Sequence, residues 1–285
     1  MGVLMLDGLT IYIPTRGRVT DQRTWAALPE SVRLSTFLVA DEDDAESLDM
    51  LGYPVLTHQL DNIGAIRQWI IDQHDVDERG PHLLFLDDDL RFFYRSTEDT
   101  TKVIPLEPGS PGVEQMFVEY HRMLDHCSLA GIAPRHMSNR YDDPYLFNHR
   151  VYKTWGINVE VFRELQLQAD RVTVGEDYDV FLQFLTHGRR MALLNTFISD
   201  DVKVQADGGC ATYRTNEVST ESSLKVKGFF PEFVKLVERP PWPGSPGDVR
   251  LEMQVQWKKA YRAGVAQYGP EAEWPLDGKD AWHVQ

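Results

Sequence analysis

The chain of 285 residues carries 44 acidic and 29 basic side chains, a formal net charge of -15, with 42% hydrophobic and 11% aromatic residues. That apolar content suits about one or two globular domains and excludes a disordered chain, while the negative charge excludes indiscriminate binding to polyanions, which draws on many lysines and arginines. The opening MGVLMLDGLTIYIPTRGR lacks the basic and apolar regions of a secretory leader, no apolar stretch approaches the roughly 20 residues that span a bilayer, and Cys127 and Cys210 form no CxxC or Cys/His cluster, so a soluble intracellular protein with reduced thiols, no disulfide framework and no structural zinc site is expected.

The first half alternates strand and helix signals, which predicts a mainly parallel sheet with helices on its faces. Strands are expected over residues 9–14, 34–40, 54–60 and 83–86, and Asp61 or Asn62 caps a helix bearing Ile63, Ile66 and Ile70 on one face. The first, second and fourth strands run into Thr15-Arg16-Gly17-Arg18, Asp41-Glu42-Asp43-Asp44 and Asp87-Asp88-Asp89. In a parallel sheet such ends gather along one edge, where open α/β folds bind ligands. Val113, Met116, Phe117, Tyr120, Leu124 and Cys127 recur at helical spacing and predict a core-facing stripe. Residues 128–133 and 151–161 read as further strands, the second interrupted by Gly156. Pro240, Pro241, Pro243 and Pro246 mark a connector. The expected organisation is a main domain over residues 8–238 and a connector with C-terminal extension over 239–285 that packs on it.

Two acidic motifs carry the chemistry. Leu83-Leu84-Phe85-Leu86-Asp87-Asp88-Asp89 is an apolar run of strand length that ends in three carboxylates. Adjacent acids repel unless a cation or a basic partner is supplied, and hard divalent ions such as Mn or Mg take oxygen ligands while leaving positions for phosphate oxygens. The arrangement Asp87-x-Asp89 therefore suggests a metal-diphosphate site; the bland alternative is an acidic strand-to-loop corner. Val174-Gly175-Glu176-Asp177-Tyr178-Asp179 opens a helix whose apolar residues Val180, Phe181, Phe184 and Leu185 centre near Asp177. Asp177 is thus expected to point inward, Asp179 outward and Glu176 to the flank. An acid here either caps the helix or, facing inward, holds an acceptor hydroxyl or takes its proton. On that reading Asp177→Asn loses roughly 100-fold in rate, the scale of general acid or base assistance, and Asp179→Asn is nearly silent.

The succession IYIPTRGR, NIGAIRQWI, LLFLDDDLRFF, GIAPR, VGEDYDVFLQFL, DGGCATYRT and QVQWKKA, in this order over roughly residues 10–260, resembles the TET-associated glycosyltransferases, a phage group with a GT-A-type fold. The resemblance implies an α/β chain with a mainly parallel central sheet, flanking helices and a C-terminal appendage. It also implies transfer from a UDP-sugar to a hydroxymethylated base in DNA, typically 5-hydroxymethylcytosine made by a neighbouring dioxygenase, in the host cytoplasm if the chain is phage-encoded. Carried onto this chain, it places the nucleotide near Pro14, Thr15, Arg16 and Arg18, the uracil or ribose near Asp41 and Glu42, and the diphosphate near Arg67. Asp87 and Asp89 would hold Mn or Mg, Asp88 would lie nearer the donor sugar, and Asp207 or water would complete the metal shell. Glu176 and Asp177 match the acidic pair near the acceptor, and the loop with Tyr213 and Arg214 suits closure over the diphosphate. An acidic protein needs local cationic surface to approach DNA, which singles out Arg135, Arg140, Arg150 and Lys153, together with Lys258, Lys259 and Arg262. Base flipping is expected from duplex DNA, and Tyr145, Tyr152 and Trp155 either flank the vacated gap or pack in the core. A protein, lipid or glycan acceptor, or an inactive nucleotide-sugar or nucleic-acid binding module, are the alternatives.

Overall fold

In chain order the elements are β1 (Leu9–Pro14), α1 (Arg23–Ala27), α2 (Glu30–Arg33), β2 (Thr36–Asp41), α3 (Glu42–Met50), β3 (Val55–His58), α4 (Ile63–Gln73), α5 (Val76–Arg79), β4 (His82–Leu86), β5 (Leu90–Arg95) and β6 (Val103–Pro105). They continue with α6 (Pro111–Leu124), β7 (Leu129–Pro134), β8 (Tyr145–Phe147), β9 (Thr154–Asn158), α7 (Val159–Glu164), α8 (Glu176–Thr186), β10 (Met191–Asp201), α9 (Asn216–Phe229), β11 (Val234–Arg239), β12 (Arg250–Val255) and α10 (Trp257–Tyr268). This computed structural model describes residues 6–136, 142–201, 213–241, 249–272 and 274–276.

The large sheet has the strand order β3-β2-β1-β4-β9-β7-β10-β5-β6, with β8 on β10. Strands β1 to β4 are mutually parallel neighbours, β9 runs antiparallel to β4 and β7, and β10 is parallel to β7. The sheet is covered on both sides, which is why β4 has no polar interior residue: Leu83 and Phe85 face a core with α4, α8 and α10, and Leu84 and Leu86 face one with α2, α3 and α6. Parallel strands buried on both faces read as continuous apolar runs rather than as alternation.

The second strand starts later than its apolar pattern, and its last residue, Asp41, turns to cap α3 by accepting the Asp44 N–H at 3.2 Å. The acidic run Glu42 to Asp44 fills the first turn of α3, where the helix dipole favours negative charge. Asn62 caps α4 by accepting the Ala65 N–H at 3.0 Å. The strand expected over 151–161 divides in two: β9 ends at Asn158, whose side chain accepts the Val161 N–H at 3.1 Å and starts α7. Val159 and Phe162 then bury one helical face, so their apolar character serves a helix rather than a longer strand. Gly156 does not interrupt β9; a Cβ there would lie 2.6 Å from the Tyr120 hydroxyl and 2.7 Å from the Leu83 carbonyl, so its absence lets α6 settle on the sheet.

Strands β11 and β12 pair antiparallel, and residues 242–248 between them, with Pro243 and Pro246, lie outside the described residues. Helix α10 packs on α8, with Trp257 stacked on Tyr178 at 5.7 Å and Ala260 fully buried. Among the described residues no helix is long and apolar enough to cross a membrane.

Candidate active site

The carboxyl ends of β1, β2 and β4 lie side by side, and the segments that leave them are tied together. Thr24, fully buried on α1, fixes the turn after β4 three ways. Its hydroxyl donates to the Asp87 carbonyl at 2.6 Å and accepts the Leu90 N–H at 2.8 Å, while its own N–H donates to the Asp88 carbonyl at 3.1 Å. The Asp87 N–H donates to the Lys153 carbonyl at 3.0 Å. Asp88 turns into the protein, 6% exposed, where it accepts from the Thr15 hydroxyl at 2.7 Å and pairs with Arg18. Burial pushes its carboxyl up to about 6 despite the Arg18 charge and the Thr15 hydrogen bond. Gln22 braces this corner by donating to the Thr15 hydroxyl at 3.0 Å and the Arg18 carbonyl at 2.9 Å. Arg18 also lies 3.4 Å from Asp89.

Arg67 links the two acidic motifs. One turn into α4, it pairs with Glu176 and lies 3.5 Å from Asp87, and its guanidinium sits over the rings of Trp155 at 5.1 Å and Phe85 at 5.4 Å. Those rings fix a cation that carboxylates on two different elements then share. Glu176 is 3% exposed, and burial raises its carboxyl against the pull of Arg67. Asp87 is hemmed in by protein yet keeps 36% of its side chain open to solvent; desolvation raises it, with Arg67 and Lys153 opposing. Tyr213 accepts the Ile63 N–H at 2.9 Å, placing it at the head of α4, and the charge of Arg214 reaches both Asp87 and Glu176.

Gly175 turns the chain into α8 with a φ of 72°, a region that favours glycine, and a Cβ there would press on Met253 at 3.1 Å. Two residues on, Asp177 lies 3.8 Å from Arg150, whose guanidinium is sandwiched between the rings of Tyr152 and Tyr178, each at 4.0 Å. Burial opposes the Arg150 charge, but Asp177 and the flanking tyrosines hold its pKa above the ordinary value.

Asp179 corrects the helical-wheel reading. It is not outward but 1% exposed, accepting from Arg171 Nε at 2.8 Å and Nη2 at 2.5 Å and from Gln183 at 2.9 Å. Burial raises its carboxyl and Arg171 opposes. Asp177 is the more open of the two at 18% of its side chain. The wheel assumes one solvent face, whereas most residues of α8 are buried.

The remaining expected residues have the following surroundings. Pro14 ends β1, Arg16 lies 3.3 Å from Asp41, and Glu42 accepts from Gln59 at 2.6 Å. Arg135 lies 3.4 Å from Asp200 and over the Phe93 ring, and Lys153 pairs with Asp201 at 2.6 Å. Burial raises Asp201, but the Lys153 hydrogen bond and charge outweigh it and leave its pKa lowered. Lys258, Lys259 and Arg262 are exposed on α10, with Lys259 donating to the Glu232 carbonyl at 3.0 Å. Trp155 is fully buried in the core, and Tyr145 packs edge-on against Trp274 at 5.2 Å. Arg140, Asp207 and the Gly208-Gly209 turn lie outside the described residues.

Asp87, Asp88 and Asp89 do not by themselves bring three ligand atoms together. The ion pairs engage Oδ1 of Asp87 and Oδ2 of Asp89, which leaves the second oxygen of each. This all-oxygen donor set is chemically suited to Mn or Mg with phosphate oxygens filling the shell.

The model of the TET-Associated Glycosyltransferase family matches residues 9–209. The chain belongs to this family. No curated protein is detectably similar to this chain in sequence. Among solved structures, the mannosyltransferase PcManGT from Pyrobaculum calidifontis, in complex with GDP-Man and Mn2+, is similar with a TM-score of 0.50 and 8% identity, over 78% of this chain and 63% of that one. The chain thus spans under two thirds of that protein's length. GalNAc-T7 with UDP, GalNAc and Mn2+ gives a TM-score of 0.42 and 12% identity, over 68% of this chain and 43% of that one. The likeness to PcManGT is one of fold, and the fold is GT-A-like.

Proposed function

We propose that this glycosyltransferase is metal dependent and moves a sugar from a UDP-sugar onto the hydroxymethyl group of a modified DNA base, 5-hydroxymethylcytosine, supplied by a base-hydroxylating dioxygenase. The observation that carries the donor half is the meeting of Asp87, Asp89, Arg18, Arg67 and Glu176 at the carboxyl edge of the parallel strands. The acceptor half rests on membership of the family.

On this reading Asp87 and Asp89 hold Mn or Mg, which when bound neutralises the departing diphosphate. Pro14, Thr15, Arg16 and Arg18, with Asp41 and Glu42 beyond, border the nucleotide. Arg67 orients Asp87 and Glu176, and Tyr213 and Arg214 close the diphosphate side. The bond from the anomeric carbon to the diphosphate breaks, its electron pair leaves with UDP, and a bond to the acceptor oxygen forms. Asp177, the more open carboxylate at the head of α8, meets the acceptor hydroxyl and takes its proton or holds it for transfer to solvent. Arg135, Arg140, Arg150, Lys153, Lys258 and Lys259 are the candidates for acceptor phosphates.

A glycan, lipid or protein acceptor is the second reading. It is favoured by the pairing of Arg135 and Lys153 with Asp200 and Asp201, which offsets cationic charge near the cleft. Incubation with a panel of UDP-sugars and either hydroxymethylated or unmodified DNA, followed by nucleoside mass analysis, separates the two. A mass gain of one hexose on hydroxymethylcytosine alone supports the DNA acceptor. Donor turnover in the presence of glycans, with no modified nucleoside, overturns it.

A further inference from the structure

His82 opens β4 at the end of the strand opposite Asp87, and His121 and Asp125 lie one turn apart at the end of α6. His82 is 4% exposed, yet its Nδ1 faces two further ligand-type atoms: Nε2 of His121 at 3.1 Å and an Asp125 carboxylate oxygen at 3.8 Å. Among the described residues this is the group of three or more His, Cys, Asp or Glu whose ligand atoms come together, all within 4.8 Å of one another.

We propose that His82, His121 and Asp125 bind a zinc ion that clasps the end of α6 to the start of β4, at a site separate from the acidic cleft. The spacings fit the ion. Zinc with ligands at about 2.0–2.1 Å in a tetrahedron sets its ligand atoms about 3.3 Å apart, between the two separations seen here. Asp125 has 54% of its side chain exposed and so is able to close the longer one. The donors suit it as well: two imidazoles and a carboxylate favour zinc over Mn or Mg, which prefer oxygen. Imidazole must be neutral to bind a metal. Burial and the neighbouring His121 depress His82 to about 4, against the pull of Asp125, and burial likewise lowers His121 against Asp125 and Asp7. Water or Asp7, whose charge already reaches His121, takes the fourth position. A hydrogen bond between the two rings explains the shorter contact but gives Asp125 no part, whereas zinc uses all three groups.

The full chain, freed of metal by chelator dialysis, is titrated with zinc chloride against a chromophoric chelator at pH 7.5. Circular dichroism of each variant monitors folding. One equivalent is expected in the wild type. His121→Ala is expected to weaken it by more than the roughly 10- to 100-fold that follows loss of a ligand's supporting hydrogen bond. Asp125→Asn, at an exposed position that leaves folding intact, weakens it in the same direction and decides the matter if His121→Ala unfolds. The Asp87→Asn/Asp89→Asn double variant keeps the zinc equivalent. Absence of stoichiometric zinc in the wild type, unchanged affinity in folded His121→Ala or in Asp125→Asn, or loss of the equivalent in the double variant overturns the proposal.

Discussion

Asp177 and Asp179 sit two residues apart on α8, and the structure assigns them opposite vulnerabilities. Asp179→Asn keeps the shape but turns one carboxylate oxygen into an NH2 group facing the Arg171 guanidinium. Three hydrogen bonds from Arg171 and Gln183 converge on a carboxylate that is 1% exposed. Hydrogen bonds to charged groups contribute about 1.5–3 kcal/mol each, and breaking a fully buried ion pair costs about 3–5 kcal/mol. Arg171 keeps 24% of its side chain in water and recovers part of this, so the loss is about 2–3 kcal/mol, or roughly 5–10 °C in Tm for a chain somewhat above the 150–250 residue range. Asp177→Asn gives up one partly exposed ion pair 3.8 Å from Arg150, a loss of at most about 1 kcal/mol. Its transfer rate falls by about 100-fold or more if it serves the acceptor hydroxyl. Thermal denaturation beside initial rates at saturating UDP-sugar measures both. Equal loss of Tm in the two variants, or a rate loss confined to Asp179→Asn, refutes this division.

Thr24→Val replaces a hydroxyl that holds both sides of the Asp87 to Leu90 turn with an isosteric methyl group. It leaves the Leu90 N–H unpaired for a cost of about 1–3 kcal/mol and weakens donor binding, as urea denaturation and calorimetric titration with UDP and Mn2+ will show. His74 is 1% exposed; Arg79 donates to the Tyr12 hydroxyl, which donates to His74 Nδ1, and His74 Nε2 donates to the Gly80 carbonyl. This relay holds the ring neutral, and burial lowers its pKa, with the Gly80 carbonyl opposing. Its contribution to stability is therefore full above the unfolded value of about 6.5 and is lost as pH falls from there toward the folded value. Chemical denaturation across pH 5 to 7.5 is expected to show a shallower acid loss in His74→Gln than in the wild type. Arg67→Lys keeps the charge but loses the fork that serves Glu176 and Asp87 together, so transfer drops sharply while the protein still folds by circular dichroism.

Much of the framework of the candidate site is legible in the residues. The apolar run into Asp87 to Asp89 announces a strand covered on both faces, Asn62 announces the head of α4, and parallel strands bring the ends at Thr15, Asp41 and Asp87 together. The orientation of Asp179 is not legible, because helical periodicity reports one packed face, and α8 is buried on nearly every side beneath α10 and residues contributed from elsewhere. The strand periodicity of 151–161 likewise hides a helix: Val159 and Val161 alternate as in a strand, whereas Val159 and Phe162, three apart, share a buried face only on a helix. Thr24 carries no motif at all; only the fold brings it beneath the turn. The basic residues are visible as charges, but their partners Asp177, Asp200 and Asp201 are distant in sequence. His82 and His121 escape a search for clustered ligands because a strand and a helix 39 positions apart supply them.

Asp87 and Asp89 are expected to hold the cation that supports sugar transfer. The most direct test is transfer of labelled sugar from UDP-sugar to hydroxymethylated DNA by chelator-treated protein, with Mn2+ or Mg2+ returned, for the wild type and for Asp87→Asn and Asp89→Asn. The stripped wild type is expected to be inactive and to be restored by the ion, and both variants are expected to stay inactive with Mn2+ present while folding normally. Full activity of the stripped wild type, or of either variant, contradicts this role.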